Sequence, residues 1–220
     1  MRVLSLQYVR KRSGGEVHVE FEDGTKLVVD PDLTVKFQLA RGLVLSEDRH
    51  RELCEAQEKL SARRRLIRNL SLRKKTARES EHYLRTLKFP EHAIEYAISA
   101  ARENGYLNDE EYAEAYTRAQ ERSAKKGPRA IRQELQARGV EREIAKKAVE
   151  HLTDADMQRA AARALGCKKA QSLARETDRQ KAKVKLHQYL VRKGYDVDVA
   201  LEVTRELLGR QDEDITDVME

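Results

Sequence analysis

The chain contains few of the residues that disulfide-linked, membrane-spanning or thick-cored proteins need. Its 220 residues include no tryptophan, two cysteines and only 5% aromatic residues. Cys54 and Cys167 are too few to build a disulfide framework. No apolar run approaches the roughly 20 residues that span a bilayer, and residues 1–30 lack the apolar core of a signal peptide. These absences predict a soluble, reduced, cytoplasmic protein with no membrane partner.

Charged residues are abundant, at 37% of the chain against about 25% in a typical domain. Such a composition builds several thin helix–helix cores more readily than one thick core. The 44 Lys and Arg against 38 Asp and Glu give a net charge of +6, which is too small to prove a polyanionic partner. The distribution of basic residues along the chain is therefore more informative than their total.

The first 30 residues alternate between apolar and polar positions, as strands do, first at Leu4, Leu6 and Tyr8. Further along, a three-residue loop at 22–24 with a left-handed Gly24 predicts a hairpin. A shorter loop would turn Val29 to the wrong face of the hairpin. The facing pairs of the predicted register are Phe21 with Thr25, Glu20 with Lys26, Val19 with Leu27, and Val17 with Val29.

Helix signals begin after the hairpin. A short helix is expected after Pro31, with Leu33 and Phe37 on one face and Gly42 just past its end. Ser46 is suited to cap a second helix, and from there the chain is predicted to be helical almost throughout.

One short pattern that closes a helix and opens another occurs three times: at Lys88-Phe89-Pro90, at Arg138-Gly139-Val140 and at Lys193-Gly194-Tyr195. Its spacing is wider than the roughly 33 or 34 residues of tetratricopeptide and ankyrin repeats. The pattern predicts an internal repeat of three helices. Tandem repeats bury one face against a neighbour and present an extended surface, which favours partner binding over a single active-site pocket.

Helix breakers and caps divide the chain into predicted segments. Asn108 begins a capping-box-like start, Gly127-Pro128 splits the middle repeat, Pro90 is predicted in a first helical turn, and Gly166 is predicted to break the last repeat. The predicted fold is mainly α, with tandem three-helix repeats in an elongated curved array and a small N-terminal β-hairpin extension. The segments are residues 1–45 (hairpin and short helix), 46–107, 108–153 and 154–209 (three-helix repeats), and 210–220 (an acidic, disordered tail).

Apolar positions correspond within the last two helices of each repeat, and their spacing of four along the last helix predicts one buried stripe per repeat. The corresponding positions are Leu84, Phe89, Ala93, Ala97 and Ala101 in the first repeat, Leu135, Val140, Ile144, Ala148 and Leu152 in the second, and Leu190, Tyr195, Val199, Val203 and Leu207 in the third.

Residues that would carry catalysis or bind a cofactor do not stand out. The chain has no Gly-rich phosphate loop, nucleophile elbow or His-Glu-x-x-His motif. His50 and Cys54 have metal-ligand spacing, but two ligands fall short of the usual four of a structural zinc site. Asp109 and its acidic neighbours are explained as helix-start residues. We therefore predict no catalytic residue, no metal and no cofactor.

Basic residues form two dense sets, and each set could be an ordinary solvated helix face or a surface that meets something acidic. A third, more diluted set runs from Lys168 to Lys185. Recurrence in similar places of three repeats favours binding to phosphates or to an acidic protein groove. The candidate binding residues are Arg63, Arg64, Arg65, Arg68, Lys74 and Lys75 in the first set, and Arg118, Arg122, Lys125, Lys126, Arg129 and Arg132 in the second.

The middle repeat resembles a known family. The segment 105–113 (GYLNDEEYA), followed by Tyr116, Arg118, Lys126-Gly127-Pro128, Ile131, Leu135 and Gly139-Val140, closely resembles the central segment of the RecX family of bacterial recombinase regulators. Lys193-Gly194-Tyr195 is similar to that family's third-repeat turn. The family's capping and turn motif falls on Asn108, Asp109, Gly127 and Pro128.

The resemblance implies a non-enzymatic protein that lies in the groove of the RecA filament on single-stranded DNA. Its implied action is to inhibit strand exchange, ATP turnover and coprotease activity, in the setting of DNA repair, recombination and the SOS response. The family has no catalytic residues to carry over. Two departures are Lys88, where the later repeats have Gly, and the Arg-rich helix of the first repeat, which matches no motif of the family.

The sequence leaves three functional hypotheses open. The preferred hypothesis is a monomeric regulator that binds the RecA filament through its basic helices. The alternative is a sequence-nonspecific protein that binds single- or double-stranded DNA through the same helices. A helical scaffold for an unrelated acidic protein is the third, and an enzyme is the least favoured.

Overall fold

The computed structural model describes residues 1–11, 14–123 and 125–209, so the acidic tail predicted at 210–220 lies outside the described residues. The chain divides into two compact units. Unit one contains residues 1–75 and 79–107, and unit two contains residues 76–78 together with the chain from 108 onward. Each unit is described by itself.

Unit one begins with a three-stranded antiparallel sheet in the order β1 (Val3–Lys11), β2 (Gly14–Phe21) and β3 (Lys26–Val29). The predicted register between β2 and β3 is confirmed, because Val17 pairs with Val29 and Glu20 pairs with Lys26. Gly24 has a φ of +83°, as the three-residue loop requires. Alternation of side chains and one glycine were sufficient to fix this register.

The extension is a three-stranded sheet rather than a hairpin alone, since β1 pairs with β2 along its length. The register shifts between Val3 and Ser5, which marks a β-bulge. Leu4 falls at this shift, so Val3 is fully buried opposite Phe21 while Leu4 is exposed. Tyr8, which pairs with Val17 in the regular part of the register, is also exposed. A bulge changes which residues face the core, and the apolar pattern gave no sign of it.

Two helices complete this part of unit one: α1 (Pro31–Lys36) and α2 (Glu47–Leu70). The predicted cap of α2 is confirmed, because the Ser46 hydroxyl accepts a hydrogen bond of 3.2 Å from the Arg49 amide. The end of α1 differs from the prediction. Gln38, with a φ of +53°, directly follows the Phe37 cap, while Gly42 lies in a later turn.

The nine helices from α2 onward form three groups of three within the described residues, and each group surrounds its own buried apolar cluster. The first group is α2 with α3 (Ala77–Thr86) and α4 (Glu91–Glu103). The second is α5 (Asp109–Ser123), α6 (Pro128–Ala137) and α7 (Arg142–Val149), followed by a 3-10 turn at Glu150–Leu152. The third is α8 (Ala155–Leu173), α9 (Arg179–Arg192) and α10 (Val197–Gly209).

The predicted apolar stripes of the first and third groups are buried or half-buried. In the second group, Ala145 and Val149 are the buried residues of α7, while Ile144 and Ala148 are only half-buried. The stripe of α7 is therefore shifted by one residue, and part of its apolar surface stays open.

Two of the predicted breaker positions are wrong. Gly166 lies inside α8, and a Cβ at this position would approach Leu207 to 2.9 Å. Here glycine allows close helix packing instead of ending a helix, and α8 continues to Leu173. Pro90 is the residue before α4 rather than part of its first turn, because α4 begins at Glu91.

The three repeated turns share one hydrogen-bonding pattern. The amides of Phe89, Val140 and Tyr195 donate to carbonyls five residues earlier, on Leu84, Leu135 and Leu190, at 3.3, 3.0 and 3.3 Å. This is the closing bond of a Schellman motif, which needs a left-handed residue just before the donor. The left-handed residues are Lys88, Gly139 and Gly194, with φ angles of +60°, +91° and +90°.

Candidate partner-binding surfaces

The first basic set lies on α2 and just beyond its end. Arg64, Arg65 and Arg68 line one groove of about 330 Å³ together with Ser61 and Phe89. The Arg64 guanidinium forms an ion pair with the carboxylate of Asp30, which is almost fully buried. Arg64 therefore stabilises the junction between β3, α1 and α2, and Arg65 and Arg68 are the members of the groove that keep their charge available.

Asp30 explains why Arg64 is held. Its carboxylate caps α1 by accepting a 3.0 Å hydrogen bond from the Asp32 amide, and its own amide donates to Gln57 on α2 at 2.7 Å. Gln57 in turn donates to Ser61 at 2.9 Å. A buried carboxylate needs a charged partner, and Arg64 is the residue that supplies it.

Lys74 and Lys75 follow α2 and are both engaged within the protein. The Lys75 ammonium lies 5.0 Å from the centre of the Tyr83 ring, within the range of a cation–π contact. Burial, and then the charge of Arg73, lower the pKa of Lys75. Lys74 also makes a contact within the protein.

The second basic set lies in unit two, where Arg118 and Arg122 are one turn apart on α5. Arg118 forms a 3.4 Å ion pair with Glu114, which is four residues earlier. Both Arg118 and Arg122 are exposed, and so are Arg129 and Arg132 on α6. Exposed i, i+4 ion pairs are worth only about 0.3 to 0.5 kcal/mol, so Glu114 does not prevent Arg118 from meeting a partner.

Lys126 has an internal role that the sequence did not reveal. Its ammonium lies 2.5 and 2.7 Å from the two carboxylate oxygens of Glu134, and Glu134 also accepts a hydrogen bond from the Tyr116 hydroxyl at 2.5 Å. Arg138 lies over the Tyr116 ring at 5.2 Å. The four side chains tie the loop before α6 to α5 and α6, and Lys126 is therefore a poor candidate for an external partner.

This cluster shifts two pKa values. Burial, and then the hydrogen bond to the Glu134 carboxylate, raise the pKa of Tyr116 to about 12. Burial alone would raise the pKa of Glu134, but the hydrogen bonds from Lys126 and Tyr116 outweigh it and lower that pKa. Glu134 is therefore ionised near neutral pH and can hold Lys126.

The twelve candidates thus fall into two classes. Five of them contact other residues of the protein: Arg64, Lys74, Lys75, Arg118 and Lys126. Across residues 1–11, 14–123 and 125–209, the other seven have no side-chain hydrogen bond or ion pair, and these are Arg63, Arg65, Arg68, Arg122, Lys125, Arg129 and Arg132.

The diluted third set is largely neutralised or held by neighbours. Lys185 pairs with Glu176 and Lys181 pairs with Asp178. Lys169 lies over the ring of Tyr189 at 5.7 Å. This set therefore carries less available charge than the first two.

Sequence reasoning missed a groove of about 410 Å³ between α5 and α7. The half-buried Ile144 and Ala148 form its apolar floor, and its rim is charged. The one-residue shift of the α7 stripe opens this groove. The spacing of the apolar residues could not show that Ile144 is only half-buried. The rim residues are Glu110, Glu114, Arg118, Glu143, Lys147 and His151.

The His50 and Cys54 pair is a local contact, with Cys54 Sγ lying 3.8 Å from His50 Nε2. Within the part of the chain that the structure describes, no group of three or more metal-ligating side chains comes together. Among the described helices, none combines the length and the apolar character needed to cross a membrane.

Comparison with known proteins places the chain in a family. Residues 108–149 match the family profile described as the second three-helix domain of RecX, and residues 156–204 match the third three-helix domain. A regulatory protein RecX from a Geobacillus species (strain WCH70) is 32% identical over 199 residues, covering 90% of this chain and 72% of the relative. The chain belongs to the RecX family.

Other RecX proteins extend the comparison over nearly the whole chain. The regulatory protein RecX of Listeria welshimeri is 28% identical over 222 residues, covering 98% of this chain and 80% of the relative. A crystal structure of a regulatory protein RecX superposes with a TM-score of 0.75 at 20% identity, over 96% of this chain and 99% of the other. RecX from Lactobacillus salivarius gives a TM-score of 0.62 at 27% identity, over 69% of this chain and 97% of the other.

Proposed function

We propose that this protein is a non-enzymatic regulator that binds the RecA recombinase filament on single-stranded DNA. Binding inhibits the filament's recombination, ATPase and coprotease activities, and the protein acts as a cytoplasmic monomer in DNA repair and the SOS response. Membership of the RecX family, whose relatives are named regulatory proteins, is the observation that supports this proposal most directly.

The proposed contacts are made in each unit by its own members of the seven basic residues that have no internal partner among the described residues. Arg122 on α5 and Arg129 and Arg132 on α6 supply it in the predicted repeat 108–153. Arg65 and Arg68 on α2 supply it in the predicted repeat 46–107. Guanidinium groups free of internal carboxylates suit both phosphates and acidic protein side chains. Several modest contacts on one chain add through multivalency.

A RecA ATPase assay on single-stranded DNA tests the proposal. The wild-type protein is expected to inhibit at less than one molecule per RecA subunit. The triple variant R122E/R129E/R132E should need at least about tenfold more protein for the same inhibition, because three attractive contacts become repulsive. Failure of the wild type to inhibit even in excess would rule the proposal out.

A matched control separates this surface from charge in general. The variant R142E/K146E/R205E makes the same change in net charge within unit two, at exposed basic residues that have no ion pair among the described residues. It should inhibit like the wild type. In both triple variants the free energy of unfolding is expected to differ from that of the wild type by no more than about 0.5 kcal/mol per substitution. Equal loss of inhibition in the two variants would argue against a specific surface.

A second candidate function is sequence-nonspecific DNA binding, because the same unpaired arginines suit the phosphate backbone. Tight binding to bare oligonucleotides with a steep salt dependence would favour it. If Arg122, Arg129 and Arg132 each meet one phosphate of single-stranded DNA, their reversal should reduce the slope of log affinity against log salt by about 2. An unchanged slope would mean that these arginines do not contact DNA phosphates, which would favour their binding to the protein partner.

A further inference from the structure

Two helix starts in unit two are completed by residues from a distant turn or helix. At the start of α6, the Gly127 amide donates to the Lys193 carbonyl at 2.7 Å and the Arg129 amide donates to the Gly194 carbonyl at 3.1 Å. Gly127 has no side chain with which to cap the helix itself. The turn at 193–194 therefore takes the place of an N-cap side chain.

The start of α3 is completed in the same way. The Thr76 hydroxyl donates to the Arg138 carbonyl at 2.6 Å, and the Ala77 amide donates to the Asp109 carboxylate at 3.0 Å. In both places, residues of unit two at a helix start contact one of the repeated turns of unit two. We call this contact the helix-start joint.

The helix-start joint requires glycine in the turn because the turn lies directly against the backbone at Ala130 in one joint and against the Arg78 side chain in the other. A Cβ on Gly194 would lie 2.3 Å from the Ala130 amide nitrogen, and a Cβ on Gly139 would lie 2.3 Å from Cβ of Arg78. Gly127 faces the same constraint from the other side, since its Cβ would lie 2.5 Å from the Gly194 carbonyl oxygen. No L-amino acid with a side chain fits these turns without displacing the joint.

One helix start and one turn of the same kind remain outside any such joint in the described residues. The helix start is that of α9, where the Asp178 carboxylate accepts a 3.1 Å hydrogen bond from the Lys181 amide and so caps its own helix. The turn is that of Lys88, which has the left-handed backbone of Gly139 and Gly194 but carries an exposed side chain.

We propose that Lys88 and Asp178 terminate the series of repeats and keep a second copy of this chain from docking head to tail. The Lys88 turn of one molecule and the α9 start of another are the two halves of a helix-start joint. Joining them would be a heterologous contact that does not close on itself, so it would extend into open chains of molecules. This inference goes beyond the proposed function and does not depend on it.

Each residue blocks one half by a different physical means. Lys88 has a Cβ where the joint tolerates none, because the equivalent atom on Gly194 would lie 2.3 Å from a backbone nitrogen. Asp178 holds a carboxylate over the first turn of α9, where carbonyl oxygens of an incoming turn would have to lie. Repulsion between these oxygens and the carboxylate disfavours docking, and Gly127 at the open start of α6 offers no such obstacle.

Sedimentation velocity of full-length variants tests the proposal. The wild type should remain monomeric over a wide range of concentration, and so should K88G and D178G separately, because each variant opens only one half of the joint. An equimolar mixture of K88G and D178G should form a one-to-one dimer, which doubles the sedimenting mass. The double variant K88G/D178G should form dimers and longer species that grow with concentration.

The variant K88A/D178G is the matched control. It opens the α9 start equally but keeps a Cβ at position 88, so it should stay monomeric. Circular dichroism establishes that every variant is folded, and replacing a cap residue by glycine costs helices only a few tenths of a kcal/mol. The proposal is overturned if the folded double variant remains monomeric, if K88A/D178G associates as strongly, or if the wild type itself associates.

Discussion

The Lys88 turn of unit one and the Gly194 turn of unit two have the same backbone but different surroundings. Both have a left-handed residue and the same closing hydrogen bond, of 3.3 Å in each case. The Gly194 turn lies against the backbone of α6, whereas Lys88 is exposed. Glycine is therefore required at position 194 by its neighbour, and a left-handed φ alone does not require it, since Lys88 adopts one.

The largest expected effect comes from adding a methyl group at the packed turn. Gly194→Ala places a Cβ 2.3 Å from the Ala130 amide nitrogen, in addition to the cost of a left-handed alanine. We expect a loss of at least about 3 kcal/mol in the free energy of unfolding. Thermal or urea denaturation measures it. Gly105→Ala is the control, because Gly105 has a φ of +72° with nothing near its Cβ position, and it should lose only about 1 kcal/mol. Equal losses would show that φ, not packing, selects glycine.

The next effect concerns the other helix-start joint. Thr76 is fully buried and its hydroxyl donates to the Arg138 carbonyl, so Thr76→Val leaves this part-buried carbonyl without its hydroxyl donor. We expect a loss of about 1 to 3 kcal/mol in denaturant unfolding. Thr86→Val, at the end of the helix that follows Thr76, removes an exposed hydroxyl that donates to the Tyr83 carbonyl and should change stability by about 0.5 kcal/mol or less. A similar small change in both variants would mean that the Thr76 bond contributes little to the joint.

A smaller effect of opposite sign is expected at the exposed turn. Lys88→Gly removes the cost of a left-handed L-residue but adds conformational entropy to the unfolded chain. The net result should be a gain of about 0.5 to 1 kcal/mol in the free energy of unfolding, measured by urea denaturation at low protein concentration. A loss of stability in the monomeric variant would mean that the Lys88 side chain makes a contact worth more than its backbone strain.

The last effect appears only at high pH and concerns two tyrosines, of which Tyr195 directly follows the left-handed Gly194. Burial raises the pKa of Tyr195 to about 12, and the pKa of Tyr116 is raised to about the same value. Phe89, which holds the position of Tyr195 in the first turn, cannot ionise. The unfolded chain would release these protons near pH 10, so stability should be complete below that pH and fall as the pH rises toward about 12.

Ultraviolet titration of tyrosinate checks the last prediction. Two of the eight tyrosines should ionise late in the folded protein, and Tyr195→Phe should leave one. If all eight ionise together near pH 10 while the protein remains folded, the buried environment of Tyr195 and Tyr116 does not shift their pKa values.

Parts of the fold were predictable because they depend on neighbours in the chain. The register of β2 and β3 followed from period-two alternation and Gly24, and the Ser46 and Asn108 caps followed from local sequence, with Asn108 accepting a 3.0 Å hydrogen bond from the Glu111 amide. Gly166 was misjudged for the opposite reason. Its meaning depends on Leu207, 41 positions away, and the local sequence is equally compatible with a break or a close packing contact.

The candidate surface was predictable only as a list of charges. The twelve residues could be selected from their clustering, yet spacing did not reveal that Arg64 is held by Asp30 or Lys126 by Glu134. The Arg64 partner comes from a different element of unit one. Whether a basic residue is available to a partner depends on which carboxylates the fold brings beside it.

The sequence by itself determined the Ser46 and Asn108 caps, the repeated turns and the apolar stripes of the first and third groups, because these features depend on residues within a few positions of one another. Tertiary structure decided which turn must be glycine and which arginines stay unpaired. Those outcomes depend on contacts between segments that are far apart in the chain, such as Gly127 with Gly194. A turn of given backbone tolerates a lysine or excludes every side chain according to what lies against it, and the turn's own residues do not specify that neighbour.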